Sequence, residues 1–131
     1  KLRTDSRVTN LEKTNLRNLA SEKLAFFPFP IVVMDLSFIS LSKVLVRAWS
    51  FLSVGGHLIA LIKPQFECRK KEADRGRGII KDKLIHKRVL SEISDFADQN
   101  LPHSELFAQT ESSPKGADGN LEFFLGWKKL K

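Results

Sequence analysis

Two short apolar runs, each ending in a charged residue, constrain the fold of this chain more than any other feature. The runs are Pro30–Asp35 and His57–Lys63, and both are rich in aliphatic residues at consecutive positions. Such runs are typical of strands buried on both faces, as in parallel sheets covered by helices. Pro64 ends the second run because proline cannot donate a hydrogen bond within a central ladder. We therefore predict that Asp35 and Lys63 lie at the carboxyl ends of two strands.

Helical periodicity follows each of these strands. Apolar residues recur at helical spacing from Ser37 to Leu52, and the pair Gly55-Gly56 is expected to end that pattern. The same spacing recurs from Ile85 to Ala97 and ends at Asn100–Pro102. The other predicted elements are a strand at Arg7–Thr14, a short helix at Leu16–Leu24, a mobile surface loop at Glu67–Lys83, a strand at Ser104–Glu111, a loop at Ser112–Asn120 and a final strand at Leu121–Lys128.

The order of these elements predicts one α/β domain with a mostly parallel sheet, since strands alternate with helical segments before two strands close the chain. Ligands of such sheets bind beyond the carboxyl ends of the strands. Asp35 and Lys63 are predicted to lie at those ends, so they mark a candidate site.

Charge and cysteine content exclude several classes of protein. Lys and Arg number 22 against 15 Asp and Glu, which gives a net charge of +7 and favours a polyanionic partner. One cysteine, Cys68, excludes an intramolecular disulfide framework, and three scattered histidines show no metal-ligand spacing, so we expect no metal. The longest mostly apolar stretch, Leu24–Leu41, contains two prolines and an aspartate and is a poor bilayer span. We predict a soluble cytoplasmic protein.

Asp35, Lys63 and Glu122 are the candidate residues for chemistry, and each also has a structural interpretation. Asp35 could cap the helix that follows it. Lys63 could be a paired strand-end residue or could extend its ammonium to the surface. Glu122 lies near the start of the final predicted strand. Three ionisable groups facing one crevice would perturb one another's pKa values, but structural ion-pair networks do the same, so both interpretations stay open.

Five phrases of this sequence resemble, in the same order, those of a known protein family. They are Arg7-Val with Glu12-Lys-Thr-Asn-Leu-Arg17, Met34-Asp-Leu-Ser-Phe-Ile-Ser-Leu41, Leu61-Ile-Lys-Pro-Gln-Phe-Glu67, Gly78-Ile-Ile-Lys-Asp82, and Ser113-Pro-Lys-Gly116 with Gly119-Asn-Leu-Glu-Phe123. With these phrases the chain resembles the methyltransferase domain of the TlyA, or hemolysin A, family of FtsJ-like RNA 2′-O-methyltransferases. Five ordered phrases along nearly the whole chain are more specific than a lone glycine-rich motif.

The resemblance implies a Rossmann-like methyltransferase sheet, mostly parallel with an antiparallel final strand, that binds S-adenosylmethionine. It also implies a catalytic Lys-Asp-Lys-Glu tetrad whose last three members correspond to Asp35, Lys63 and Glu122. Asp35 should in addition lie near the amino-acid end of the cofactor, and Glu12 near its adenosine.

Several parts of the family's pattern have no counterpart in residues 1–131. These are the first tetrad lysine, the glycine-rich cofactor loop, the first two strands of the sheet and an N-terminal RNA-binding domain of the S4 type. We therefore expect a partial methyltransferase domain that is inactive by itself. An open sheet edge is expected to favour self-association of the chain.

The chemistry that the resemblance implies suits these residue types. A ribose 2′-hydroxyl is a poor nucleophile at neutral pH, so a base or a cation beside the developing alkoxide lowers the barrier. Lys63 is the candidate for that task, oriented by Asp35 and Glu122. As a neutral amine it would act as a base, and as an ammonium it would stabilise charge; the sequence leaves both roles open.

A basic cluster follows Lys63 and is the candidate RNA-binding surface: Arg69, Lys70, Lys71, Arg75 and Arg77. A charge run is usually a solvated face, but phosphate contacts supply most sequence-independent affinity for RNA. The leading hypothesis is 2′-O-methylation of cytidine in ribosomal RNA. The alternatives are a noncatalytic RNA-binding module and a membrane-active haemolysin, although no helix with a strongly basic face opposite a wide apolar face is evident.

Overall fold

A four-stranded sheet forms the centre of the computed structural model, which describes residues 2–131. Its strands are β1 (Phe29–Met34), β2 (Leu52–Ile62), β3 (Ser104–Glu111) and β4 (Phe123–Lys129), and its α-helices are α1 (Leu45–Ser50), α2 (Pro64–Glu67), α3 (Lys70–Arg75) and α4 (Lys83–Asn100). Short 3-10 turns lie at Leu2–Thr4, Leu16–Asn18, Ser21–Lys23 and Leu41–Lys43.

The strand order is β1-β2-β4-β3. β1 pairs with β2 in parallel, and β4 runs antiparallel to both β2 and β3. Three strands therefore point in one direction and only β4, the last in sequence, points in the other. The predicted α/β sheet, mostly parallel with an antiparallel final strand, is confirmed.

The core lies between this sheet and helices α1 and α4. Alternate residues of β2, namely Leu58, Ala60 and Ile62, are completely buried. α4 begins where the Asp82 side chain accepts a hydrogen bond from the amide of Leu84 at 2.8 Å. Its buried residues recur at the predicted spacing: His86, Val89, Leu90, Ile93 and Ala97. The predicted helix from Ile85 to Ala97 and the strand Ser104–Glu111 are confirmed.

The prediction of one helix from Ser37 to Leu52 is wrong in its extent. Phe38 has a φ of 63°, which no α-helix accommodates, so the chain stays irregular until the 3-10 turn at Leu41–Lys43. Only Leu45–Ser50 is α-helical. The helical spacing nevertheless identified the buried residues correctly, since Leu41, Val44, Leu45, Ala48, Trp49 and Leu52 all belong to the core.

The glycine pair does not precede the second strand as predicted but lies within it. Phe29 pairs with Leu52 and Ile31 pairs with His57, so two steps along β1 correspond to five along β2. Gly55 has a φ of 77° in this irregular segment, a conformation that favours glycine. The pair therefore forms a bulge in β2.

The stretch Glu67–Lys83 contains helix α3, so its prediction as a loop is wrong over Lys70–Arg75, whereas most of its residues are exposed, as predicted for a surface segment. α3 begins where the Glu72 carboxylate accepts a hydrogen bond from the amide of Arg69 at 2.9 Å. The same carboxylate accepts two hydrogen bonds from the Arg88 guanidinium, at 2.7 and 2.6 Å, which ties α3 to α4. A partner 16 residues away therefore orders a stretch whose local composition resembles a loop.

The predicted strand at Arg7–Thr14 is also wrong. These residues are exposed and irregular, and Lys13 has a φ of 53° that interrupts an extended conformation. In the part of the chain that the structure describes, no strand lies beside this segment, and a strand needs a partner for its backbone hydrogen bonds. The predicted helix at Leu16–Leu24 is reduced to the two 3-10 turns at Leu16–Asn18 and Ser21–Lys23.

The bridge between Glu72 and Arg88 predicts a loss of stability in acid. Hydrogen bonds from Arg88 lower the pKa of Glu72 from 4.5 to about 2. A carboxylate with a lowered folded-state pKa stabilises the fold above its unfolded pKa and loses that effect as the pH falls. We expect the stability difference between the wild type and Glu72→Gln to be largest above pH 5 and to shrink toward pH 2, as measured by urea unfolding at several pH values.

The control for this experiment is Glu105→Gln, which removes an exposed carboxylate on β3. It should leave the pH dependence of unfolding close to that of the wild type. Equal pH profiles for the wild type and Glu72→Gln would show that the bridge contributes nothing to acid stability.

Candidate active site

The carboxyl ends of β1 and β2 bring Asp35 and Lys63 into direct contact. The two strands are parallel and end at Met34 and Ile62, so the next residue of each lies at the same edge of the sheet. The Lys63 Nζ lies 2.7 Å from Asp35 Oδ1 and donates a hydrogen bond to Ser37 Oγ at 3.3 Å. The lysine side chain is 14% exposed and that of Asp35 is 70% exposed. A largely buried lysine side chain is thus held beside a carboxylate that solvent and ligands can reach.

Glu122 reaches the same edge from β4. Ile62 pairs with Phe123 in the antiparallel ladder, which places Glu122 alongside Lys63. The Glu122 side chain is buried, and its Oε1 accepts a hydrogen bond from Gln65 Nε2 at 3.1 Å. Within residues 2–131 this carboxylate forms no ion pair, so direct contact joins only Asp35 to Lys63. The catalytic roles of all three residues remain predictions.

Glu67 fixes the segment that follows Asp35. Its carboxylate accepts hydrogen bonds from Ser40 Oγ at 2.6 Å and from the amide of Leu41 at 2.8 Å. Burial raises the pKa of Glu67, while these two hydrogen bonds act in the opposite direction. These contacts connect the loop after β1 to helix α2. Because Asp35 precedes that loop and Lys63 precedes α2, the contacts hold Asp35 and Lys63 in place.

Asn120 anchors the loop before β4 to the segment that leads into α4. The Asn120 side chain is 1% exposed. Its Oδ1 accepts from the amide of Ile80 and its Nδ2 donates to the carbonyl of Gly78, both at 2.9 Å. The Nε2 of His86 also lies 2.9 Å from the Ile80 carbonyl oxygen. The position of Glu122, two residues later, is therefore coupled to the segment after α3.

The five predicted RNA-binding residues remain exposed even though their segment is helical. Arg69, Lys70, Lys71, Arg75 and Arg77 lie on or beside α3, and in the part of the chain that the structure describes none of them forms an ion pair. α2 and α3 continue directly from the end of β2. The basic cluster therefore follows the strand end that carries Lys63, and RNA binding by it remains a prediction.

Glu12 belongs to no strand and contacts none of Asp35, Lys63 and Glu122 in the hydrogen bonds and ion pairs of residues 2–131. It belongs to the irregular exposed segment before β1, where its carboxylate pairs with the Arg3 guanidinium. The position of Glu12 near the adenosine, which the resemblance implies, remains a prediction.

Five further residues of this region were not identified as functional from the sequence: Ser37, Gln65, Glu67, Gly116 and Asn120. Each belongs to one of the phrases that carry the family resemblance. Their contacts join segments that are far apart in the sequence, such as Gln65 with Glu122 and Asn120 with Gly78. Local periodicity does not detect contacts of this kind.

The chain is similar to known proteins in sequence and in fold. Residues 1–129 match the model of the family described as FtsJ-like methyltransferase. The 16S/23S rRNA (cytidine-2'-O)-methyltransferase TlyA of Mycobacterium tuberculosis is 37% identical over 125 residues, which cover 95% of this chain and 45% of that protein.

Two solved structures are also similar. One is a proposed hemolysin from Lactococcus lactis, with a TM-score of 0.89 and 33% identity over 97% of this chain and 59% of that one. The other is a SAM-dependent methyltransferase from Methanosarcina mazei, whose TM-score of 0.54 and 16% identity over 89% of this chain and 65% of that one show a shared fold.

The chain spans about half the length of the curated relatives that it matches. In residues 2–131, every helix is too short or too polar to cross a membrane. The family match extends from the N-terminal segment through β4 and includes Asp35, Lys63 and Glu122. This chain belongs to the FtsJ-like methyltransferase family.

Proposed function

We propose that the gene product transfers a methyl group from S-adenosylmethionine to the ribose 2′-hydroxyl of cytidine in ribosomal RNA. The observation that carries this proposal is the Lys63 ammonium, held 2.7 Å from Asp35 at the edge where α/β sheets bind ligands. Membership of the FtsJ-like family supports methyl transfer. The name of the mycobacterial relative supports cytidine and ribosomal RNA as the substrate.

Lys63 acts in this proposal as an electrostatic stabiliser. The developing alkoxide on the ribose needs a positive group beside it, and an ammonium that is already oriented needs no reorganisation during the reaction. Asp35 and Ser37 supply that orientation through the contacts at 2.7 and 3.3 Å. The hydroxyl proton passes to solvent. Glu122 completes the negative surroundings of the ammonium from the neighbouring strand.

Asp35 is the residue of this chain that best suits the cofactor. Its carboxylate is largely exposed and lies at a strand end, and it can accept hydrogen bonds from an amino group such as that of the cofactor's methionine part. When bound, S-adenosylmethionine supplies an electrophilic methyl group. Asp35 would hold the amino-acid end of the cofactor while it also orients Lys63, which fits both roles that the resemblance implies.

The basic cluster supplies the surface for the RNA. Five exposed cations without ion-pair partners among the described residues can neutralise phosphates without first losing a salt bridge. A ribosomal RNA substrate would place the reaction in the cytoplasm. Self-association of the isolated chain stays a prediction, supported by the edge position of β1 and by the exposure of Ile31 and Val33.

A noncatalytic RNA-binding module is the second candidate, and the unpaired basic cluster favours it as much as it favours an enzyme. The two candidates differ in what they require of Lys63. An enzyme needs its ammonium at the strand end, whereas a binding module gains only one cation among many.

The Lys63→Met variant tests the catalytic role in the full-length gene product. The substitution keeps most of the side-chain length and removes the charge. We expect methyl transfer to fall by at least ~100-fold, the usual effect of losing a group that stabilises the transition state. Single-turnover transfer of labelled methyl groups to unmodified ribosomal subunits measures the rate, and nucleoside mass spectrometry identifies 2′-O-methylcytidine.

Lys23→Met is the matched control, because Lys23 lies in a 3-10 turn before the amino end of β1, and it should transfer methyl groups normally. Near-normal transfer by a folded Lys63→Met protein would refute the catalytic role. RNA binding without transfer by the wild type would favour the noncatalytic module, and methylation of a base would exclude a ribose 2′-O-methyltransferase.

Arg75 and Arg77 provide a test of the RNA-binding surface. Each phosphate contact that is removed lowers the slope of log affinity against log salt by about 0.7 to 0.9. We expect the Arg75→Gln/Arg77→Gln double variant to bind ribosomal RNA more weakly at low salt, with a slope reduced by roughly 1.5. Filter binding at several salt concentrations measures this change.

The control removes the same charge from another part of the surface through Arg17→Gln and Lys23→Gln. If both double variants lose the same salt dependence, net charge and not the cluster determines RNA affinity. An unchanged slope in the Arg75→Gln/Arg77→Gln variant would show that the RNA binds elsewhere.

A further inference from the structure

We propose that Gly116 is a positioning residue for Glu122, an inference that rests on the proposed function. Gly116 lies in the loop between β3 and β4, directly against the Glu122 carboxylate. A Cβ atom added at position 116 would lie 2.5 Å from Glu122 Oε1 and 2.9 Å from Glu122 Cδ. These distances are shorter than side chains tolerate, so any other residue at this position must displace the carboxylate.

The backbone at Gly116 does not itself require glycine. Gly55, Gly78 and Gly119 have positive φ angles, the region in which side chains are strained, whereas Gly116 is not among the positive-φ residues. The reason for glycine at position 116 is therefore the close approach to Glu122. Conformational freedom explains the glycine at position 119 of the same loop, where an added Cβ would meet nothing within 4 Å.

Gln65 holds the same carboxylate oxygen, Glu122 Oε1, that a Cβ atom at position 116 would meet. Gln65 Nε2 donates to Glu122 Oε1 at 3.1 Å, and Gln65 follows Lys63 by only two residues. The Gln65 Oε1 is buried and, among the described residues, has no hydrogen-bond partner. The amide is thus oriented by its bond to Glu122 alone, and a carboxylate displaced from Gly116 would disturb this bond.

The loop itself keeps Gly116 in place. The amide of Gly116 donates to the carbonyl of Asn120 at 3.0 Å, and the amide of Gly119 donates to the carbonyl of Gly116 at 2.8 Å. The amide of Ser112 donates to the carbonyl of Glu122 at 2.8 Å. Because the loop is closed by these bonds and by the buried Asn120 side chain, a Cβ at position 116 is relieved by movement of Glu122 more readily than by movement of the backbone.

The test compares Gly116→Ala with the wild type in the full-length gene product. Ordinary van der Waals contact begins near 3.4 Å, so the carboxylate must move by about 1 Å, and a misplacement of that size costs up to ~100-fold in rate. We expect kcat for methyl transfer to fall roughly 10- to 100-fold, while KM for the ribosomal subunit changes less than about threefold.

A double-variant cycle with Glu122→Ala shows whether Gly116 acts through Glu122. Removing the carboxylate also removes the collision, so Gly116→Ala should have less than about a twofold further effect on kcat in the Glu122→Ala background. The melting temperature should follow the same pattern, with a decrease of a few degrees in the wild-type background and almost none without the carboxylate.

Gly119→Ala is the matched control, since it strains the same loop at a φ of 82° without placing an atom near Glu122. It should lower kcat by less than about threefold. Normal kcat in Gly116→Ala, an equal loss in Gly119→Ala, or an undiminished effect of Gly116→Ala beside Glu122→Ala would each overturn the proposal. A wild-type protein without methyl transfer would instead overturn the proposed function. The melting temperatures of the wild type, the two single variants and the double variant would still test the contact between Gly116 and Glu122.

Discussion

The register of β2 is the constraint on which the rest of the structure depends. β2 pairs with β1 on one side and with β4 on the other, and its alternate residues Leu58, Ala60 and Ile62 are completely buried. A slip of one residue would turn these side chains away from the core. The burial of three aliphatic residues therefore also determines where Lys63 lies relative to Asp35 and Glu122. The register of β2 therefore determines both the packing of the core and the positions of the site residues.

The elements that could be predicted are those whose sequence pattern is typical of one kind of secondary structure only. The strands around Val32 and Ile59 are continuous apolar runs, and α4 has a clear apolar face, so their elements were identified. The expectation that both strands are buried on two faces is wrong for β1, because β1 is an edge strand in which Ile31 and Val33 are exposed. The charged residues that end the strands follow from the same pattern. Helix α3 could not be predicted, because its order depends on Arg88, which lies in another helix. Glu67 and Gln65 were missed for the same reason, since their partners are 26 to 57 residues away.

Two carboxylates five residues apart show how strongly the surroundings determine electrostatics. The pKa of Glu67 is raised because its burial outweighs two hydrogen bonds from neutral groups, whereas the pKa of Glu72 is lowered because it faces the Arg88 guanidinium. Neither direction can be deduced from the local sequence, in which both residues are acids within a basic stretch. Glu67 fixes the loop beside the ion pair of Asp35 and Lys63, and Glu72 connects α3 to α4. The two carboxylates therefore support different parts of the proposed site.

Because of the bulge in β2, the number of residues in this part of the strand does not determine the geometry of the candidate site. Five residues of β2, including Gly55, occupy the space of two residues of β1, while from His57 onward both neighbouring strands determine the pairing. A residue gained or lost between Leu52 and His57 would change the size of the bulge and leave the later ladder in register. A change of chain length at this point, far along the strand from Lys63, would therefore leave the spatial arrangement of the strand ends unchanged.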